Sequence, residues 1–136
     1  MFGKILVAVD GSDTAAKAVQ LAGELAGAMG SEVVVLHVRE VEVGHFSGAM
    51  EPPADAVELV NTTVHELTGK GIVARGDARA APTGHAASLI DDEAKSGDAD
   101  VIVMGSRGLS DWHALLVGSV AHKVINLAHC PVLIAR

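Results

Sequence analysis

The sequence predicts an α/β domain built on a doubly wound parallel sheet. Three observations carry that prediction. Short apolar runs alternate with segments of helical spacing along the whole chain, the pattern of strand–helix–strand units with right-handed crossovers. The runs are continuous rather than alternating, as in strands buried on both faces. Hydrophobic residues make up 49% of the 136 residues but aromatics only 2%, so the core must be assembled from Val, Ala, Leu and Ile.

The elements follow in order. Ile5 to Val9 is the first strand, ended by Asp10-Gly11-Ser12-Asp13, a turn with Ser12 placed to cap a helix. From Thr14 to Met29 apolar or small residues recur at Val19, Ala22, Ala26 and Met29, which is helical spacing, and Gly30 stops the run. Val33 to Val38 is a second buried strand. Arg39 to Pro53, with two glycines, Met50 and Pro52-Pro53, reads as a loop. The next helix sets Val57, Val60, Val64 and Leu67 on one face and closes at Gly69. Ile72 to Asp77 is a shorter strand with polar members, Arg75 among them, and belongs at a sheet edge. Pro82-Thr83 opens a third helix with Ala86, Leu89, Ile90 and Ala94 inward. Val101 to Met104 is the fourth strand, Val120 to Ala128 the fourth helix, and Pro131 opens the last strand, Val132 to Ala135. With no repeat, low-complexity tract or linker, residues 1–136 read as a single domain.

Composition narrows the function classes. A net charge of −7 argues against a nucleic-acid binder, which would show a basic face. A lone cysteine, Cys130, rules out an internal disulfide framework and fits a reducing compartment. Met-Phe-Gly-Lys leads straight into a strand without the marks of a signal peptide, and no apolar run approaches a bilayer span, so the expectation is a cytoplasmic protein. Asn61-Thr62-Thr63 matches a glycosylation sequon but falls inside a predicted helix and reads as chance.

The chemistry concentrates near the end of the chain. Gly105-Ser-Arg-Gly108 follows the fourth strand, and Gly118-Ser119 opens the fourth helix after nine intervening residues. Glycines let backbone N–H groups approach an anion, and a helix N-terminus adds donors and a favourable dipole, so this is the pattern of a phosphate site. No P-loop lysine is present, which leaves backbone donors and Arg107 to hold phosphates. Gly105 and Gly108 also suit a tight turn needing positive φ. Ser119 also suits a helix cap and Asp10 a turn. If strands one and four are central neighbours, Asp10 and Gly105 emerge side by side at the crevice where such sheets bind ligands.

The motif G-x2-G-x9-G-[S/T] resembles the nucleotide-binding motif of the universal stress protein family. The opening Lys4-Ile-Leu-Val-Ala-Val-Asp10-Gly-Ser12, the His37-Val38 strand end and the close His129-Cys-Pro-Val-Leu-Ile134 also resemble that family. The resemblance implies five strands in the order 3-2-1-4-5 with four helices, an adenine nucleotide alpha hydrolase-like fold, and a homodimer paired through the last strand, residues 132–135. It also implies a bound adenine nucleotide, ATP with Mg²⁺. Ala8 and Val38 would line the adenine, Val38 through its backbone, Val9 would be a further binding residue, and Asp10 would sit near the ribose or a phosphate-bound Mg²⁺. Met104 and Gly105 would border the ribose. Gly108, Gly118, Ser119 and Val120 would contact phosphates, with Arg107 beside them. A bulky residue at Gly118 should block that approach, with added backbone strain if φ is positive there. Trp112, midway between Gly108 and Gly118, is placed to report phosphate binding by its emission.

Other chemistry is thin. Seven histidines are scattered: His37, His45, His65, His85, His113, His122 and His129. They form no metal-binding spacing. Cys130 has no assignable base, and nothing singles out Asp111 or His113. The expectation is therefore a nucleotide-dependent stress-response sensor or regulator with no nucleic-acid or membrane partner and at most slow ATP hydrolysis. A dimeric interaction module that binds no nucleotide is the alternative. An ATP-consuming PP-loop enzyme is disfavoured, because Asp10-Gly-Ser-Asp13 departs from the SGGxDS-like turn of that group.

Overall fold

The structure, a computed structural model, describes residues 2–42, 51–108 and 117–136. The elements are β1 (Lys4–Ala8), α1 (Asp13–Met29), β2 (Glu32–Val41), α2 (Pro53–Thr68), β3 (Ala74–Pro82), α3 (Ala86–Ser96), β4 (Val101–Gly105), α4 (Ser119–Leu127) and β5 (Val132–Ala135). The five strands are parallel, as the alternation implies, and ordered β3-β2-β1-β4-β5, with the polar third strand at an edge. No described helix is long and apolar enough to cross a membrane.

Register places β1 at the centre. Ile5 to Ala8 pair with Val33 to Leu36 on one side and with Val101 to Met104 on the other. Successive side chains alternate across the sheet and build two apolar layers. Ile5, Val7, Val33, Val35, Val101 and Val103 pack under α1 and α2, where Ala18, Ala22, Val60 and Leu67 meet them. Leu6, Leu36, Ile102 and Met104 face α3 and α4 through Ile90, Ala94, Ala121 and Val124. Small helix residues bring the backbones close. At Gly76 of β3 an added methyl group would stand 2.9 Å from Val64, so α2 rests almost directly on the strand.

Local chemistry sets the boundaries. Ser12 caps α1, its hydroxyl accepting the Ala15 N–H at 3.2 Å, and Gly30 ends that helix with left-handed backbone, φ 68°. Gly69 closes α2 with ordinary helical backbone instead, φ −62°.

Several sequence expectations are corrected. β2 runs on through Arg39, Glu40 and Val41, because β3 continues to pair with it as far as Pro82. Pro82 therefore ends a strand rather than opening a helix. The third strand starts at Ala74, later than the Ile72 expected. In α2 the inward positions are Ala56, Val60, Thr63 and Leu67, and Val57 lies outside, 48% exposed.

Candidate functional site

The carboxyl ends of β1, β2 and β4 open on a cavity of about 560 Å³, within the roughly 300–1,000 Å³ usual for small-molecule sites. Its place follows from topology. β1 and β4 are adjacent central strands from which the chain winds outward in opposite directions, and α/β sheets leave a crevice there. Ala8, Val9 and Asp10 reach it from β1, and Leu36 to Glu40 from β2. Met104, Gly105, Arg107 and Gly108 reach it from β4, and Ser119 to Ala121 from the head of α4. Ser12 and Ala15 at the head of α1, Ala86 and Ile90 of α3, and Glu51, just before α2, complete the described wall.

Ten of the eleven residues read from the sequence line this cavity; Gly118 does not. Gly118 is buried behind it, donating its N–H to the Ser106 carbonyl at 2.5 Å. Ser106 is itself 3% exposed and donates its own N–H to the Ala135 carbonyl at 2.7 Å, so its N–H and carbonyl together join β5 to the head of α4. Asp111, Trp112 and His113 lie outside the described residues, as does His45.

The glycines act differently from the tight-turn reading. Gly118 has φ −66° and ψ 165°, extended backbone open to any residue, and it is the N-cap of α4, which makes Ser119 the first helical residue rather than the cap. No side chain caps that helix. Gly105 is also outside the left-handed region, and close approach is what it provides. A methyl group there would lie 2.6 Å from the carbonyl carbon of Thr14 and 2.7 Å from the nitrogen of Ala15. With that clearance α1 closes on the β4 exit. The Thr14 hydroxyl donates to the Arg107 carbonyl at 2.6 Å, Ser12 Oγ donates to the same oxygen at 3.2 Å, and the Arg107 N–H returns to Thr14 Oγ1 at 3.3 Å. Two loops ninety-odd residues apart are thereby locked edge to edge. Asp10 Oδ1 accepts the Ser12 N–H at 2.9 Å, so the carboxylate shapes its turn while lining the cavity.

The universal stress protein family model matches residues 1–136. The chain belongs to the universal stress protein family. A universal stress protein of Bacillus subtilis (strain 168) is 37% identical over 149 residues, with both chains covered in full. One from Thermus aquaticus is 38% identical over 141 residues, again over the whole of both. Among solved structures, the universal stress protein UspA from Lactobacillus plantarum superposes with a TM-score of 0.84 at 24% identity, covering 99% of this chain and 98% of that one. The universal stress protein from Archaeoglobus fulgidus in complex with dAMP gives a TM-score of 0.77 at 27% identity, over 99% and 98% of the two chains.

Sequence reading of this universal stress protein passed over two polar wall residues that meet there. His37 Nδ1 lies 2.6 Å from the Val9 carbonyl oxygen, and its Nε2 lies 2.9 Å from a Glu51 oxygen. A histidine inside the apolar run Val33 to Val38 was a signal that some partner must satisfy it. Glu51 carried no such signal.

A second titratable cluster lies away from the cavity. Asp91 of α3 is buried, and burial alone pushes its carboxyl up. Hydrogen bonds from Lys95 and from the His129 ring and backbone outweigh that and hold it below the ordinary carboxylate value. Burial, then the nearby Asp91 charge, pushes the Cys130 thiol up, which keeps it protonated and a poor nucleophile. Among the described residues no three His, Cys, Asp or Glu side chains converge on a metal position.

Proposed function

We propose that this universal stress protein binds an adenine nucleotide, ATP with Mg²⁺, and works as a cytoplasmic nucleotide-dependent stress sensor or regulator rather than as a catalyst. One observation carries the reading: four separate chain segments bring the motif residues around a single cavity with an apolar seat and a glycine-lined polar end. Ala8, Leu36, Val38, Ile90 and Met104 offer a purine face only carbon, and Gly108, Arg107 and the head of α4 offer a phosphate chain donors and positive charge. The dAMP complex of the Archaeoglobus fulgidus relative, 27% identical, supports the ligand class.

The cavity chemistry also suits the cation. Asp10 is a hard oxygen ligand at the polar end, placed to meet a Mg²⁺ carried by the phosphates. Such an ion would offset phosphate charge beside the Asp10 carboxylate.

The protein acts as a homodimer through β5. That strand is wholly apolar, Val132-Leu-Ile-Ala135, and forms an edge of the sheet. Exposed apolar edges are normally paired or protected. Light scattering at micromolar concentration should give twice the chain mass, and a monomer would refute this arrangement.

Mass spectrometry of small molecules released from the purified, denatured protein tests the ligand. An adenine nucleotide, or calorimetric binding of MgATP by the emptied protein, is the expected result. Protein that carries none and binds none overturns the reading.

A further inference from the structure

The cavity wall holds one buried titratable group that the nucleotide reading leaves unused. His37 is 4% exposed and follows Val33 and Val35 on the β2 face covered by α1 and α2. Its Nδ1 stands 2.6 Å from the Val9 carbonyl oxygen. A carbonyl only accepts, so Nδ1 carries a hydrogen. Its Nε2 stands 3.0 and 2.9 Å from the two carboxylate oxygens of Glu51. A neutral ring protonated at Nδ1 presents only a lone pair at Nε2, and a carboxylate also only accepts. The contact is bonding only when one further proton is present, on Nε2 or on the carboxyl.

That proton has two consequences. Glu51 is followed by Pro52, the N-cap of α2, so the contact pins the start of that helix to the cavity wall. The proton also sets the charge of the wall. Among the described residues, the other charged groups lining the same cavity are Asp10 beyond β1, Arg39 and Glu40 on β2, and Arg107 beyond β4. Asp13 and Asp55, in the first turns of α1 and α2, lie exposed outside the cavity. With the proton bound, three positive groups balance Asp10, Glu40 and Glu51. Without it the described wall carries an excess negative charge, which opposes an anion.

We infer that the His37–Glu51 pair is a proton-operated clasp, holding the start of α2 to the cavity and coupling that proton to a phosphate-bearing ligand. The ligand half rests on the nucleotide reading; the proton half does not.

Nuclear magnetic resonance of the full chain, uniformly labelled with nitrogen and carbon isotopes and without ligand, tests the proton half. At about pH 6 the contact should hold the further proton, on His37 Nε2 or on the Glu51 carboxyl. Raising the pH until that proton is lost should move the Glu51 and α2 amide signals with it. In the Glu51→Gln variant the new amide can donate to a bare Nε2, so those signals should stay in place. Calorimetry with ADP and adenosine tests the ligand half. ADP affinity should fall about fivefold from about pH 6 to about pH 9, the low end of usual couplings. Adenosine affinity should hold, and Glu51→Gln should flatten the ADP profile. A bare Nε2 facing an ionised Glu51 at the lower pH, or α2 signals indifferent to the loss of the proton, overturns the clasp. An ADP profile equally steep in Glu51→Gln overturns the coupling. A chain that binds neither compound at any pH sinks the nucleotide reading, and the ring protons still decide the clasp.

Discussion

Replacing Gly105 by alanine probes the close approach of the α1 backbone to the end of β4. The added methyl group would stand 2.6 Å from the Thr14 carbonyl carbon and 2.7 Å from the Ala15 nitrogen. Both are backbone atoms of the first turn of α1, so no rotamer change relieves the overlap, and either the helix or the strand end must move. Overpacking of this kind costs about 1–3 kcal/mol. Movement also draws the Thr14 hydroxyl away from the Arg107 carbonyl, now 2.6 Å off, and a lost neutral hydrogen bond adds about 1 kcal/mol. The sum, about 2–4 kcal/mol, lowers Tm by roughly 6–16 °C at about 3–4 °C per kcal/mol for a domain this size. Urea titration and calorimetry read the loss. Gly27→Ala is the matched control, because Gly27 is exposed in α1 with nothing within 4 Å of the new methyl group. There the swap should stabilise by about 0.5–1 kcal/mol. Nucleotide affinity should fall with Gly105→Ala and not with Gly27→Ala, since Arg107 and Gly108 follow the displaced strand end. A Gly105→Ala protein within about 0.5 kcal/mol of the parent, the ordinary range of surface changes, would show that the helix does not sit on the glycine.

Three further outcomes are expected. Gly118→Ala suits the backbone at φ −66° and ψ 165°, and because Gly118 stands behind the cavity with its N–H given to the Ser106 carbonyl, it should leave ATP affinity within about twofold, less than ~0.5 kcal/mol; a tenfold calorimetric loss would place Gly118 at the phosphates. Pro131 and Ala135 give their carbonyls to β4, so by the alternation of a parallel strand the N–H of Ile134 faces the free edge; Ile134→Pro should leave a folded monomer by light scattering. Asp91, held below its ordinary value, contributes stability that is present above about pH 4 and lost as pH falls through its native value. Asp91→Asn should therefore melt lower at neutral pH, with the gap to the parent closing in acid; a constant gap would mean that charge plays no part.

The apolar runs made the five strands legible, because strands buried on both faces leave little room for polar residues; their order came from the family resemblance. Boundaries went astray where burial stops. Arg39 and Glu40 extend β2 at the cavity rim, paired by backbone that sequence does not display. Val57 looked like a core residue by its chemistry, but the helix phase puts Ala56 inside, and in a core this short of bulk an alanine serves as well. The motif glycines were found by spacing, but their reason was not. A glycine needed for clearance looks the same in sequence as one needed for positive φ, and Gly105 is the former. Glu51 was invisible because it meets His37 only after β2 and the lead into α2 fold together.

Ser106 spans between Ala135 on the last strand and Gly118 at the head of α4, giving its N–H to the first and accepting the N–H of the second on its carbonyl. It has no slack, for both its hydrogen bonds are short and its side chain is enclosed. An edge strand pulled into register by a second copy would drag on the same residue that fixes where α4 begins. Free energy exchanged across such a residue is symmetric: whatever a ligand at the helix head gains from a paired edge, the paired edge gains from that ligand. Subunit affinity should therefore report occupancy, and each protomer's cavity would be informed of its partner through the two peptide groups that flank one serine.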